Sequence, residues 1–341
     1  QSDCDDASAG YYVDQTGQST QSACLAGTYQ VDIGQDSCDD ADPGSYVPIT
    51  GQTSQTDCAV GTYQVDTGQD SCDDADAGSY VPSTGQASQT TCALGTYQVD
   101  TRQDSCDDAD AGSYVPATGQ TSQTDCALGT YQSATGQNSC DDADAGSYVP
   151  ATGQSSQTAC AEGTYQVDTG QDSCDDADAG SYVPATGQST QSACLAGTYQ
   201  VDTGQSDCDD ASVGNYVPTT GQSNQTTCAV GTYQVDTGQD YCDDADAGSY
   251  VPTTGQTSQT DCAVGTYQVD TGQDSCDDAD AGSYVPATGQ SSQTACAEGT
   301  YQVDTGQDYC DDADAGSYVP TTGQSNQTVC ATGTYQVDTG K

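Results

Sequence analysis

The chain contains no histidine, methionine, tryptophan or phenylalanine, and its only cationic side chains are those of Arg102 and Lys341. Without histidine, and with no lysine inside the repeats, the usual pairs of nucleophile and base are missing. Paired carboxylates can cleave glycosides, but they need one desolvated acid beside one ionised base in a unique cleft. Near-identical repeated units offer no unique cleft, so we expect no enzymatic activity.

Positive charge is nearly absent, whereas 52 residues are acidic and the formal net charge at pH 7 is −50. Such a charge repels nucleic acid and anionic membrane surfaces, so neither is expected as a partner. The sequence also has no apolar run of the length that a transmembrane helix needs, which predicts no direct membrane insertion.

Large apolar side chains are scarce, because the hydrophobic residues are mostly alanine, valine and tyrosine. Such a chain cannot build one large core, but its twenty cysteines suggest that disulfides hold small units together. Zinc is the alternative use of many cysteines, and it requires close pairs such as C-x-x-C, which are missing here together with histidine. We therefore expect disulfides, an extracellular or cell-surface location, and no required cofactor.

A repeat of 34 residues runs through the whole chain, and each repeat contains two similar steps of half that length, which we call rungs. Each rung carries a tyrosine at the same place, as at Tyr12, Tyr29, Tyr46 and onward to Tyr335. This period predicts an all-β, disulfide-rich fold: an elongated, solenoid-like array of short β-hairpins. Residues 1–341 are expected to form one continuous array of ten repeats, cut within a rung at both ends.

Within a rung, Thr62-Tyr63-Gln64-Val65 favours a strand, and Asp66-Thr67-Gly68-Gln69 favours a turn. Gly61 and Gly78 are expected where the backbone needs a positive φ or a close approach. Arg102 replaces the turn glycine of one copy, which predicts that this turn does not require a positive φ. We expect stacked tyrosines and disulfides, in place of a buried interior, to hold successive rungs together.

The pattern C-x-x-G-T-Y…G-Q-x-S-C, as at Cys58–Cys72, resembles the ephrin-receptor-like cysteine-rich repeats, which are related in style to the first module of tumour-necrosis-factor-receptor cysteine-rich domains. In that family a rung opens with a cysteine five residues before its tyrosine and closes with a cysteine nine residues after it. The Tyr80 rung has Ala75 and Gln89 at these two positions, so alternate rungs lack the bridge. The resemblance thus implies the pairs Cys24–Cys38, Cys58–Cys72, Cys92–Cys106, Cys126–Cys140, Cys160–Cys174, Cys194–Cys208, Cys228–Cys242, Cys262–Cys276 and Cys296–Cys310.

The residues alone leave a second pairing open, in which Cys4–Cys24, Cys38–Cys58 and their equivalents are joined across the longer of the two intervals between neighbouring cysteines. This alternative closes all twenty cysteines within the chain, whereas the shorter spacing leaves Cys4 and Cys330. Cys330 opens a rung and Cys4 closes one. The sequence is then either a window on a longer array or a protomer that joins copies of itself head to tail through an interchain Cys330–Cys4 bridge.

Acidic side chains recur as a group at Asp73, Asp74, Asp76 and the repeat equivalents. Calcium prefers several oxygen ligands, and the spacing partly resembles a calcium loop, although a third acidic ligand and the bidentate glutamate of an EF-hand are missing. A solvated acidic edge with diffuse counter-ions is the alternative. The sequence therefore predicts calcium binding at these positions as one of two interpretations.

Covalent glycans are a further expectation from the sequence. Asn224-Gln225-Thr226 and Asn326-Gln327-Thr328 match the acceptor pattern for N-linked sugars. Hydroxyl-rich loops near proline, with Thr84, Ser88, Thr90 and the repeat equivalents, are suited to O-linked sugars.

The function that the sequence favours is structural: a secreted repeat protein that forms or extends an extracellular fibre, stalk or surface appendage by head-to-tail assembly. The alternative is an adhesin or receptor ectodomain that uses the array as a spacer or as a calcium-dependent binding surface. Uniform copies favour the first function, because a recognition site usually requires one copy to differ from the others.

Overall fold

The structure is a computed structural model that describes residues 4–341. The described residues form β-hairpins joined by turns, with no helix, and hence none that could span a membrane. They divide into two compact units, one comprising the chain to residue 160 together with 166–174, the other comprising 161–165 and 175–341. The prediction of an all-β, disulfide-rich array of short hairpins is confirmed. The prediction of one continuous array stays a prediction.

The first unit contains nine two-stranded antiparallel hairpins, each made of strands of two residues. Its strands are β1 (Tyr11–Tyr12), β2 (Ser22–Ala23), β3 (Thr28–Tyr29), β4 (Asp39–Asp40), β5 (Ser45–Tyr46), β6 (Thr56–Asp57), β7 (Thr62–Tyr63), β8 (Asp73–Asp74), β9 (Ser79–Tyr80), β10 (Thr90–Thr91), β11 (Thr96–Tyr97), β12 (Asp107–Asp108), β13 (Ser113–Tyr114), β14 (Thr124–Asp125), β15 (Thr130–Tyr131), β16 (Asp141–Asp142), β17 (Ser147–Tyr148) and β18 (Thr158–Ala159).

The second unit contains ten hairpins of the same kind. Its strands are β19 (Thr164–Tyr165), β20 (Asp175–Asp176), β21 (Ser181–Tyr182), β22 (Ser192–Ala193), β23 (Thr198–Tyr199), β24 (Asp209–Asp210), β25 (Asn215–Tyr216), β26 (Thr226–Thr227), β27 (Thr232–Tyr233), β28 (Asp243–Asp244), β29 (Ser249–Tyr250), β30 (Thr260–Asp261), β31 (Thr266–Tyr267), β32 (Asp277–Asp278), β33 (Ser283–Tyr284), β34 (Thr294–Ala295), β35 (Thr300–Tyr301), β36 (Asp311–Asp312), β37 (Ser317–Tyr318) and β38 (Thr328–Val329).

All hairpins share one register, in which the rung tyrosine faces the residue ten positions later. Tyr63 pairs with Asp73 and Tyr80 pairs with Thr90. We call a rung that both opens and closes with cysteine a bridged rung, such as residues 58–74, and a rung that opens with alanine an unbridged rung, such as residues 75–91. Because the register is the same in both kinds, the opening and closing positions face each other in every rung.

Nine disulfides close the bridged rungs, each between cysteines 14 residues apart, with Cα–Cα separations of 5.7–5.8 Å. They are the nine pairs that the family resemblance implies. No described cysteine is bridged across the longer interval of the alternative pairing. Each bridge closes a hairpin of one rung and stabilises it by about 3 kcal/mol, chiefly by restricting the unfolded chain.

Backbone hydrogen bonds connect each rung to the next within a unit. The Gly61 nitrogen donates to the Val81 carbonyl at 2.9 Å, and the Gly85 nitrogen donates to the Cys58 carbonyl at 2.9 Å. A third bond has as its donor the backbone nitrogen of the residue after the rung tyrosine. Its acceptor is the carbonyl of the residue six places after the tyrosine of the following rung. These three bonds recur along each unit. The same contacts therefore join a bridged rung to the unbridged rung that follows it, and an unbridged rung to the bridged rung that follows it.

A narrow interior is buried in each unit, and it consists of small side chains. The opening positions hold cysteine and alanine in turn, and Cys58 and Ala75 are fully buried. Val81, which follows a rung tyrosine, is also fully buried, whereas Tyr63 and Tyr80 are half-buried. The expectation that the rungs lack a buried interior is therefore wrong, whereas stacking of the tyrosines between rungs stays a prediction. The side chains in the interior are small because backbones of neighbouring rungs approach closely there.

Gly61 and Gly78 occupy the same place in successive rungs, three residues after the opening position. Gly61 and Gly78 have φ angles of 78° and 80°, and a Cβ at either would overlap a backbone carbonyl two rungs later, which confirms the prediction for both. Arg102 has a φ of 61° and is the non-glycine residue with positive φ in the described chain. The prediction drawn from Arg102 is thus wrong: the turn requires the left-handed conformation, and arginine adopts it at an energetic cost.

Candidate functional site

Unbridged rungs are closed by a hydrogen-bonded pair in place of a disulfide. Gln89 occupies the closing position, where its Oε1 accepts from the Asp76 nitrogen at 2.7 Å and its Nε2 donates to the Asp76 Oδ2 at 2.7 Å. We call this two-bond contact the glutamine clasp. Both bonds recur in nine of the ten described unbridged rungs, with a serine in place of the aspartate at Ser8, and the tenth rung, at Ser212, has the backbone bond alone.

The clasp at Ser212 is the weakest of the set. The Ser212 nitrogen donates to the Gln225 Oε1 at 2.7 Å, but no bond from the Gln225 amide to the serine side chain forms. Sequence reasoning missed the clasp altogether. The signal for it was available, because every rung without an opening cysteine has glutamine at its closing position.

Bridged rungs contain a second structural glutamine, just after the rung tyrosine. Gln64 is 5 % exposed, and its Nε2 donates to the Ser71 carbonyl at 3.0 Å. Its Oε1 accepts from the Asp66 nitrogen at 3.0 Å. Both ends of this buried amide are therefore satisfied, and the side chain ties the hairpin turn to the segment before the closing cysteine.

The acidic side chains predicted to bind calcium lie on the surface. Asp73 and Asp74 are exposed in strand β8, and the carboxylate of Asp76 is held in the glutamine clasp. Across residues 4–341, no three side chains of histidine, cysteine, aspartate or glutamate are arranged to hold a metal ion. Calcium binding at these residues stays a prediction, and the contact with Gln89 gives Asp76 a structural role of its own.

The negative charges do affect the tyrosines beside them. Burial raises the pKa of Tyr63 above its usual value, and the charges of Asp76 and Asp73 raise it further. The same order of causes applies to the equivalent tyrosines of five other bridged rungs, which are Tyr97, Tyr165, Tyr233, Tyr267 and Tyr301.

A single ion pair is found among the described residues, between the Arg102 Nε and the Asp74 Oδ1 at 3.8 Å. Its side chains are 63 % and 52 % exposed, so it contributes little to stability. The equivalent aspartate of other copies lies over a turn glycine two rungs later, as Asp40 does over Gly68. The acidic surface is thus left almost entirely without cationic partners from the chain itself.

Two cysteines of the described chain are not bridged, the exposed Cys4 and the half-buried Cys330. Cys330 lines a hollow of about 460 Å³ together with Tyr318 and Tyr335. An equivalent hollow of about 270 Å³ lies beside Tyr182, and there Cys208 forms part of the wall. The hollow at Cys330 is the larger of the two, and no closing cysteine is among its lining residues.

The candidate glycan sites are accessible. Asn224 and Asn326 are exposed, as are Thr84, Ser88 and Thr90. Their backbone forms loops and strand starts of unbridged rungs, away from the buried interior. Glycosylation at these residues stays a prediction, and their exposure to solvent is compatible with it.

No protein-family model matches the chain, and no curated protein matches it. The structure establishes a tandem array of disulfide-bonded β-hairpin repeats, in which two kinds of hairpin alternate and each kind recurs at every second rung. Nine disulfides indicate that the chain folds in an oxidising environment.

Proposed function

We propose that the chain is a secreted structural repeat protein, whose copies assemble head to tail into an extracellular fibre, stalk or surface appendage. The observation that carries this proposal is the recurrence of one set of backbone bonds from rung to rung. Because each rung presents to the next the same groups that it receives from the one before, a copy can in principle continue the series. A head-to-tail contact of this kind does not close on itself and produces a filament.

The two unbridged cysteines support the same assembly. Cys330 stands at the opening position of its rung, and Cys4 has the sequence context of a closing cysteine. The hollow beside Cys330 is the place where, in the rung of Cys194, the closing residues Asp207 and Cys208 lie. We propose that Cys4 of another copy enters this hollow and forms an interchain disulfide with Cys330.

Charge supports growth along one direction. With a net charge of −50 and 52 acidic residues, copies placed side by side repel one another, which disfavours lateral association. An extracellular location is consistent with the disulfides and with the exposed polar surface. We also propose kinship with the ephrin-receptor-like repeats, supported by the spacing of the nine bridges.

Electron microscopy and non-reducing electrophoresis of the purified, oxidised chain test the assembly. We expect filaments with a regular axial repeat, and a series of covalent multimers that reductant converts to monomer. C4S and C330S should each abolish the multimers. The matched control C58S/C72S removes a bridge within one rung and should leave them.

Multimers that persist in both single variants would contradict the proposed bridge. Isolated short rods, with no filaments at any concentration, would contradict the structural function and favour the ectodomain spacer instead.

A further inference from the structure

One position of the unbridged rung distinguishes two copies from the other eight. The eighth residue after the rung tyrosine is serine or threonine in eight copies, and asparagine at Asn224 and Asn326. In all ten copies this residue is followed by the clasp glutamine and then by serine or threonine. An asparagine at this position therefore always creates the pattern Asn-Gln-Ser/Thr.

The structure presents both ends of this pattern to solvent. Asn224 is exposed, and its Nδ2 has one hydrogen bond, to the Ser223 Oγ at 3.3 Å. Thr226 begins strand β26 and is also exposed. Gln225 between them is half-buried because its Oε1 accepts from the Ser212 nitrogen at 2.7 Å. Asn224 and Thr226 are thus both accessible to solvent, on either side of a glutamine that the clasp holds against the rung.

The second copy has the same arrangement. Asn326 is exposed with its Nδ2 at 3.2 Å from the Ser325 Oγ, and Thr328 is exposed at the start of strand β38. Gln327 forms the full two-bond clasp with Asp314. Neither asparagine uses its backbone in the described hydrogen bonds between rungs, so a substituent on either side chain leaves those contacts in place.

We propose that Asn224 and Asn326 each carry an N-linked oligosaccharide. The donor class is an oligosaccharide joined to a lipid through pyrophosphate. In the transfer, the asparagine Nδ2 loses one proton and bonds to the anomeric carbon of the first sugar, while the bond from that carbon to the pyrophosphate breaks. The lipid pyrophosphate leaves with the bonding electrons, and no oxidant or reductant is involved.

The two remaining asparagines of the chain provide internal controls. Asn138 is followed by Ser139 and Cys140, and Cys140 is bonded to Cys126. Asn215 is followed by a tyrosine and a buried valine, so no hydroxyl stands two residues later. Neither matches the Asn-x-Ser/Thr acceptor pattern. The proposed sites therefore occur in unbridged rungs alone, and this inference does not depend on filament formation.

The test uses the full chain secreted from a eukaryotic cell line, with intact mass measured before and after peptide N-glycosidase. We expect two glycan increments, both removed by the enzyme, with conversion of Asn224 and Asn326 to aspartate. N224Q or N326Q should leave one increment. T226V keeps the asparagine but removes the hydroxyl of the pattern, and it should also leave one.

A gain-of-site variant completes the design. S88N places asparagine before Gln89-Thr90 in the equivalent position, and it should add a third increment. Free-thiol counting verifies that each variant retains nine bridges. If the oxidised, secreted wild-type chain carries unmodified Asn224 and Asn326, while a glycoprotein expressed in the same cells is modified, the proposal is overturned. Modification at Asn138 or Asn215 instead would overturn it as well.

Discussion

The contact between a glycine and a carbonyl two rungs later can be tested with one matched pair of substitutions. Gly282 and Gly316 occupy the same place in successive unbridged rungs, with φ angles of 84° and 90°. The carbonyl of each accepts from the nitrogen of the next opening cysteine at 2.9 Å. They differ in one respect: a Cβ at Gly282 would overlap the Gly323 carbonyl, whereas a Cβ at Gly316 would meet nothing within 4 Å.

G282A and G316A should therefore share one cost and differ in another. Placing alanine in the left-handed region costs about 1–2 kcal/mol in both variants. Overlap with the Gly323 carbonyl adds about 1–3 kcal/mol to G282A alone. This difference corresponds to roughly a 5- to 150-fold larger increase in the equilibrium constant for local opening.

Native-state hydrogen exchange measured by mass spectrometry gives the local opening free energies. The peptides to compare are those that contain Cys296, next to Gly282, and Cys330, next to Gly316, each relative to the same peptide of the wild-type chain. Equal increases in exchange for the two variants would refute the claim that close approach between rungs, and not backbone conformation alone, requires glycine.

Three further predictions address the rung closures, the unusual turn and the tyrosines. A75C/Q89C should form a tenth disulfide worth about 3 kcal/mol before the loss of the clasp is subtracted, because both kinds of rung share one register; two additional free thiols under oxidising conditions would contradict this. R102G should raise the free energy of unfolding by up to about 1–2 kcal/mol in denaturant titrations, because glycine relieves the left-handed strain and the lost ion pair is weak; a clear destabilisation would show that the ion pair matters more. The stability that Tyr63 and its equivalents contribute should be fully present below the ordinary tyrosine pKa near 10, and it should be lost as pH rises through their raised pKa in the folded chain. An ultraviolet titration in which none of the tyrosines ionises above that ordinary value would contradict the assignment.

Much of the hairpin organisation could be predicted from the sequence, because a tyrosine at the same place in every rung fixes which segments recur. The strand at Thr62–Tyr63 and the positive φ of Gly61 and Gly78 follow from local residue preferences. The bridges within single rungs depended on the family resemblance, since spacing alone left two pairings open.

The interior could not be predicted in the same way. Strands of two residues are too short for alternation to indicate which side chains face inward, so the large tyrosines were assigned to packing and the alanines were overlooked. Ala75 is buried because backbone bonds between distant residues place the opening position inside, and no local pattern encodes that. The role of Arg102 was misjudged for a related reason: one exception in a series does not reveal whether the conformation or the residue has changed.

The glutamine clasp could have been found. The closing position is glutamine whenever the opening position is alanine, and a paired substitution of this kind indicates a contact between the two ends of the rung. The missing step was to recognise that Gln89 reaches Asp76, one residue after the opening position, and not Ala75 itself.

Disulfide mapping tests most directly whether each bridge closes a single rung. Cys228 lies in Thr227-Cys228-Ala229-Val230, and Cys242 is preceded by Tyr241, so their peptides can be told apart from most other copies after non-reducing digestion. The account predicts a peptide pair that links Cys228 to Cys242. A peptide that links Cys228 to Cys208 would place bridges between rungs and contradict it.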